Sequence, residues 1–129
     1  MLARYTIVRG ARRDSLPKGI RQDTRKHTRH FLRPTPEMVS AVFASDGSEA
    51  AWAEYAAQYR ALLEARALET PKKFDLLATM SRWHDVFLGC SCPSSKNADV
   101  RRCHTVLALR FMKERYPTLD VRFPAGAQS

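Results

Sequence analysis

Three cysteines and a histidine fall within fifteen residues of a 129-residue chain: Cys90-Ser91-Cys92-Pro93, then Cys103-His104. Thiolates are nucleophiles and soft metal ligands, and imidazole serves as base, acid or ligand. Cys90 and Cys92 are two apart, so on extended backbone their side chains face the same way. Between the pairs run Ser94, Ser95, Lys96 and Asn97, and then Arg101 and Arg102. A helix starting near residue 99 would aim unpaired N–H groups and a partial positive charge at this stretch. A thiol beside that helix end and those arginines would carry more thiolate than a free cysteine.

Four readings are open at these residues. Cys90, Cys92, Cys103 and His104 have the ligand types of a zinc site. Against this, C-x-C with an adjacent C-H is not a common finger spacing, and neighbouring helical residues point about 100° apart. One of the cysteines could instead be a nucleophile or redox thiol assisted by His104. Ala98 occupies the position a phosphatase-loop arginine would need after Cys92, and the chain has no C-x-x-C pair. A third reading is a phosphate or nucleic-acid backbone held without chemistry. The fourth is structural: buried cysteines acting as small core residues, with His104 hydrogen-bonded. Asp85 beside His84 makes no convincing catalytic pair, and no G-x-S-x-G serine motif is present.

The elements that must position these residues read as follows. Leu2 to Val8 alternates and predicts a strand. Residues 9–18 read as an exposed loop, and 19–33 as an extended or irregular surface segment. Thr35-Pro36 and Thr70-Pro71 each place a capping hydroxyl before a first-turn proline. Between them Asp46-Gly47 ends one helix, and Ser48 or Asp46 caps the next. That helix carries Trp52, Tyr55, Tyr59 and Leu62 at spacings of three and four. Residues 85–92, DVFLGCSC, form the best strand, expected at the centre of the sheet. A helix is predicted over 99–115, ended by Tyr116-Pro117, and a last strand over 120–123. The order implies an α/β fold: a single compact domain over 1–124, a small largely parallel sheet flanked by helices, and a frayed tail at 125–129.

The formal charge is +9, distributed as +8 over 1–33, −3 over 34–86 and +4 over 87–129. Such asymmetry points to an anionic partner. Within 21–33, Arg25, Lys26 and Arg29 alternate with His27, His30 and Phe31, a mixture suited to single-stranded nucleic acid. His27-x-x-His30 has metal-pair spacing but no third ligand nearby. No apolar run approaches the roughly 20 residues of a membrane span. The odd cysteine count and the lack of a secretory leader place the chain in a reducing cytoplasm. The expected function is binding of an anionic ligand, nucleic acid or a phosphate-containing small molecule. The contacts would come from residues 93–98, Arg101, Arg102 and His104, with Arg25, Lys26 and Arg29 as auxiliaries. No cofactor is expected. Thiol chemistry is the enzymatic alternative.

The strand–Cys–loop–Cys–His–helix arrangement resembles the microbial family of domain of unknown function 488. LRPTPEMV (32–39), Trp52-x-x-Tyr55-x-x-x-Tyr59, GCSC and the Cys-His pair carry the likeness, over roughly 3–117. The resemblance implies a compact α/β fold and names no activity. Members commonly place an arginine directly after the Cys-His pair. Here that position is Thr105, so no role for such an arginine carries over.

Overall fold

In the computed structural model, which describes residues 1–94 and 97–127, the first apolar alternation becomes strand β1, Leu2–Thr6. A loop with one short 3-10 turn, Arg13–Ser15, leads to β2, Ile20–Asp23. Three helices follow: α1, Pro36–Phe43; α2, Glu49–Glu69; and α3, Pro71–Trp83. Strand β3, Val86–Cys90, is followed by a 3-10 turn at Val100–Arg102 and by α4, His104–Arg115. The sheet order is β1-β3-β2 and both pairings are parallel. Leu2 and Ile20 both pair with Val86, so the two outer strands enter in step. The GCSC strand is therefore central, as its apolar run predicts.

Capping explains where the helices begin. Thr35 Oγ1 accepts from the Met38 amide and Ser48 Oγ from the Ala51 amide, each satisfying one orphan N–H. Thr70 acts differently: its hydroxyl donates back to Arg66 O and ends α2, and Pro71 opens α3. Along α2 the buried stripe is Tyr55, Tyr59, Leu63 and Ala67, at strict spacings of four. α4 is buried on most of its circumference because it packs on both α2 and the sheet. Leu2, Val86, Leu88, Tyr59, Phe74, Leu109 and Met112 form the main core.

Three expectations change. Residues 19–33 are not a surface segment throughout, since they hold β2, and Thr24 and Leu32 are fully buried. α2 ties the segment down: Tyr59 Oη donates to Leu32 O at 2.6 Å, and Arg66 donates to Phe31 O and Arg33 O. Gly19 permits β2's entry. Its φ is +142°, and a Cβ there would lie 2.3 Å from Asp85 O. The helix predicted over 99–115 is split, because Cys103 has extended backbone at φ −92°, ψ 144° and acts as N-cap. The last strand is a single bridge, Leu2 to Val121, held by Leu2 N–H to Asp120 O and Arg122 N–H to Leu2 O. Pro124, which lacks an N–H, follows at once. The tail makes a turn at Pro124–Ala127 with Ala127 buried, and 128–129 lie outside the described residues.

His30 shows how tightly the basic segment is held. Nδ1 accepts from Leu32 N–H at 3.1 Å, so Nε2 bears the proton donated to Gln22 Oε1 at 2.7 Å. Both nitrogens are used, which removes His30 from any metal pair with His27. Burial pushes the imidazole from 6.5 down to about 4. The unfolded chain therefore takes up a proton that the folded one refuses. Stability is full above pH 6.5 and is lost as pH falls toward about 4, by up to about 2 kcal/mol at pH 5. Urea midpoints between pH 7 and 5 should fall faster for the wild type than for His30→Asn, whose amide oxygen can still accept from Leu32 N–H.

Candidate functional site

The site lies beyond the carboxyl end of β3, between β2, α1, α2 and the start of α4. Gly89 precedes the first cysteine because Tyr5 and Ile7 of the β1 segment close over it. A Cβ there would lie 2.7 Å from Tyr5 Cε1 and 2.8 Å from Ile7 Cδ1. The Sγ atoms of Cys90, Cys92 and Cys103 all lie within 4.8 Å of one another, with Cys90 and Cys92 at 3.9 Å. The three are free thiols and form a cluster of their own, apart from the main apolar core. Polar donors are aimed at them. Asn97 Nδ2 reaches Cys92 Sγ at 3.3 Å, and Thr105 Oγ1 donates to Cys103 Sγ at 3.1 Å.

These contacts set the thiols apart electrostatically. Hydrogen bonds from Cys103 and Cys90, then, against the opposing effect of burial, from Asn97, with the Arg4 charge nearby, hold Cys92 below the usual thiol range. Cys103, sharing its hydrogen bonds with Cys90 and Cys92 and deeply buried, is pushed up.

Two frameworks fix the geometry. On one side, Arg4 of β1 donates Nη2 to Cys92 O at 2.6 Å and Nε to Thr105 Oγ1 at 2.9 Å, while Thr6 Oγ1 donates to Cys92 O at 2.7 Å. Directly after the Cys-His pair stands Thr105, with the Arg4 guanidinium reaching it from β1. On the other side, Thr24 donates its hydroxyl proton to Gly89 O at 2.9 Å and meets His104 Nε2 at 2.8 Å. A hydroxyl has one proton. With that proton on Gly89 O, His104 carries its own on Nε2, and the Nδ1 lone pair faces Cys103 Sγ at 3.9 Å.

Above the thiols opens a cavity of about 280 Å³. Cys90, Cys92, Cys103, His104, Ser94, Asn97, Arg25, Lys26 and Arg102 all line it. Arg29 and Arg101 do not line it, and Arg101 is turned to Asp99 at 2.9 Å. Ser95 and Lys96 lie outside the described residues. Val39, Val42, Phe43, Trp52 and Tyr55 supply an apolar wall. Arg102 lies over the Trp52 ring, 5.5 Å from its centroid, and donates Nη1 to Gly47 O. Arg25 is committed to Asp23, whose carboxylate it holds below the usual range. Among the described residues no carboxylate pairs with Lys26 or Arg102.

Sequence reasoning missed Arg4, Thr6, Thr24 and the α1 wall. One signal existed for the first. Arg4 sits between Leu2 and Thr6 on the period-two face that Leu2 buries, where a charge needs a reason.

A protein-family model described as the active DUF488-N3 subclade matches residues 4–116. No curated protein and no solved structure matches the chain. No helix among the described residues is long and apolar enough to cross a membrane.

Thr24 is the testable joint of this site. Thr24→Val keeps the shape but strips both hydrogen bonds from a buried position, and should cost about 1–3 kcal/mol in urea denaturation. Thr24→Ser, which retains the hydroxyl and loses one methyl, should cost about 1 kcal/mol.

Proposed function

We propose, from the premise that the chain belongs to the DUF488 family through its DUF488-N3 subclade, that it binds a small phosphate-bearing ligand of the nucleotide class in the cavity beyond β3. The observation that carries this reading is the composition of the cavity. Two cations without carboxylate partners among the described residues, Lys26 and Arg102, stand at a wall of Phe43, Trp52 and Tyr55. Cations suit a phosphate, and a flat aromatic wall suits a base. The volume, about 280 Å³, is near the lower end of small-ligand pockets and suits one nucleotide rather than a duplex. The position also fits, since ligands of open parallel sheets sit beyond the carboxyl ends of the strands.

The basic stretch around Arg25, Lys26 and Arg29 keeps nucleic acid within this reading as a single-stranded end whose terminal nucleotide enters the cavity. Arg29, outside the cavity, would then add only a backbone contact.

Isothermal titration calorimetry with nucleoside monophosphates, inorganic phosphate and short single-stranded oligonucleotides at 50 mM salt tests the proposal. The expected result is binding of at least one nucleoside phosphate more tightly than inorganic phosphate. Lys26→Ala and Arg102→Ala should each weaken it about tenfold, the loss expected for one charge-assisted hydrogen bond. Arg29→Ala should change only oligonucleotide binding, with a shallower salt slope. No heat from any nucleoside phosphate at millimolar concentration overturns the proposal.

A further inference from the structure

We propose that Cys90, Cys92 and Cys103 hold one zinc ion, with His104 Nδ1 as the fourth donor. The inference is independent of the nucleotide reading and starts from distances. Three sulfurs bound to one zinc at about 2.3 Å must lie about 3.8–4.0 Å apart. Cys90 and Cys92 stand at 3.9 Å, and every pair is within 4.8 Å. The cluster needs to contract by less than an ångström at its longest edge.

The surroundings are those of anionic sulfur rather than of core thiols. Asn97 and Thr105 each donate to a sulfur, as outer-shell groups do around metal thiolates. Arg4 is half-buried, has no carboxylate partner among the described residues, and binds Cys92 O and Thr105 Oγ1. Three thiolates and one divalent ion leave one negative charge, and Arg4 supplies its counter-charge.

His104 stands beside the sulfur cluster rather than within it, with Nδ1 3.9 Å from Cys103 Sγ, and its tautomer is set for ligation. Metal-bound histidines hand their other ring N–H to an acceptor, which fixes the tautomer and the ring plane. Thr24 does this at Nε2, leaving the Nδ1 lone pair on the Cys103 side. The objection from the sequence, that adjacent helical residues diverge by about 100°, does not apply. Cys103 is extended and only His104 is helical, which brings Sγ and Nδ1 to 3.9 Å. The donor set has no free carboxylate, because Asp23 is bound to Arg25, and so it suits a thiophilic ion and not magnesium or calcium. Such an ion would join the end of β3 to the start of α4 across 91–103 and form the floor of the cavity.

The test is reconstitution of the metal-free, reduced full chain with zinc and with cobalt, without nucleotide. Native mass spectrometry should show one zinc per chain. Cobalt should give a thiolate charge-transfer band together with tetrahedral d–d absorption. Zinc should slow alkylation of all three cysteines together, and a chelator should restore it; this readout needs no variant and is immune to misfolding. In competition with a chromophoric chelator, Cys92→Ser should lose more than about 100-fold in affinity. Thr24→Val, an outer-shell change, should lose about tenfold. No uptake at micromolar zinc, uptake that leaves the three cysteines equally reactive, or unchanged affinity in Cys92→Ser overturns the proposal.

Discussion

The carbonyl of Gly89 accepts twice from one residue, from the amide of Thr24 and from its hydroxyl, and the same hydroxyl meets His104. One side chain therefore joins the end of β2, the next-to-last residue of β3 and the first turn of α4. The last ladder pair of β2 with β3 is Asp23 with Gly89, so Thr24 stands where the sheet stops and the site starts. One half of the cavity floor takes its position from this point. His104 is oriented by it, Cys103 follows one residue earlier, and Cys90 follows Gly89. Buried polar groups of this kind are costly when left unpaired and specific when satisfied.

β1 supplies the opposing half. Arg4 and Thr6 grip the carbonyl of Cys92, past the point where the ladder ends at Thr6 and Cys90. The backbone after β3 is thus held by side chains where no strand partner remains, and the Cys92–Pro93 peptide there is cis. The two outer strands do different work. β2 presents a hydroxyl to a histidine, and β1 presents a cation to a sulfur cluster. Their shared register on Val86 makes the two reach the same level of β3. The apolar wall opposite comes from α1 and α2, whose own junction is fixed by caps at Thr35 and Ser48.

Much of this frame was legible in the residues because its signals are local. Thr35-Pro36 and Ser48 mark helix starts through hydrogen bonds made within three residues, and Thr70-Pro71 marks the α2–α3 junction through Thr70's bond back to Arg66 O and the first-turn proline. Within the DVFLGCSC run, Val86 to Cys90 has no polar position and so identifies a strand buried on both faces. The clustering of Cys90, Cys92, Cys103 and His104 follows from a strand, a loop and a helix in that order. What was not legible depends on distant partners. β2 has little alternation of its own, and Arg21-Gln22-Asp23 is a strand because β3 offers it an edge. Asp120 to Phe123 has the better strand composition and makes one bridge, because Leu2 offers it only two hydrogen bonds. Thr24 looks like any threonine in a basic run, and its place at the site is set by Gly89, far along the chain. The break at Cys103 was hidden as well. Asp99 caps a 3-10 turn through the Arg101 amide, and the backbone then straightens for one residue before the α-helix begins.

The strand order also governs the timing of folding. β1 and β2 are made first, yet neither pairs with the other, and both wait for residues 86–90. Their edges have no ladder partner until α1, α2 and α3 have been synthesised. Pairing Leu2 with Val86 closes a loop that includes most of the helical mass, and such long-range parallel contacts are slow to form. The helices rest on local contacts and can form early, whereas the sheet and the thiol cluster at its end are late, joint events. On a ribosome the first strand stays an unsatisfied edge until residues 86–90 have been made, at rates of about 5–20 residues per second. The charges at Arg4, Arg21 and Asp23 then have an additional use, because a charged edge strand resists pairing with another chain while it waits.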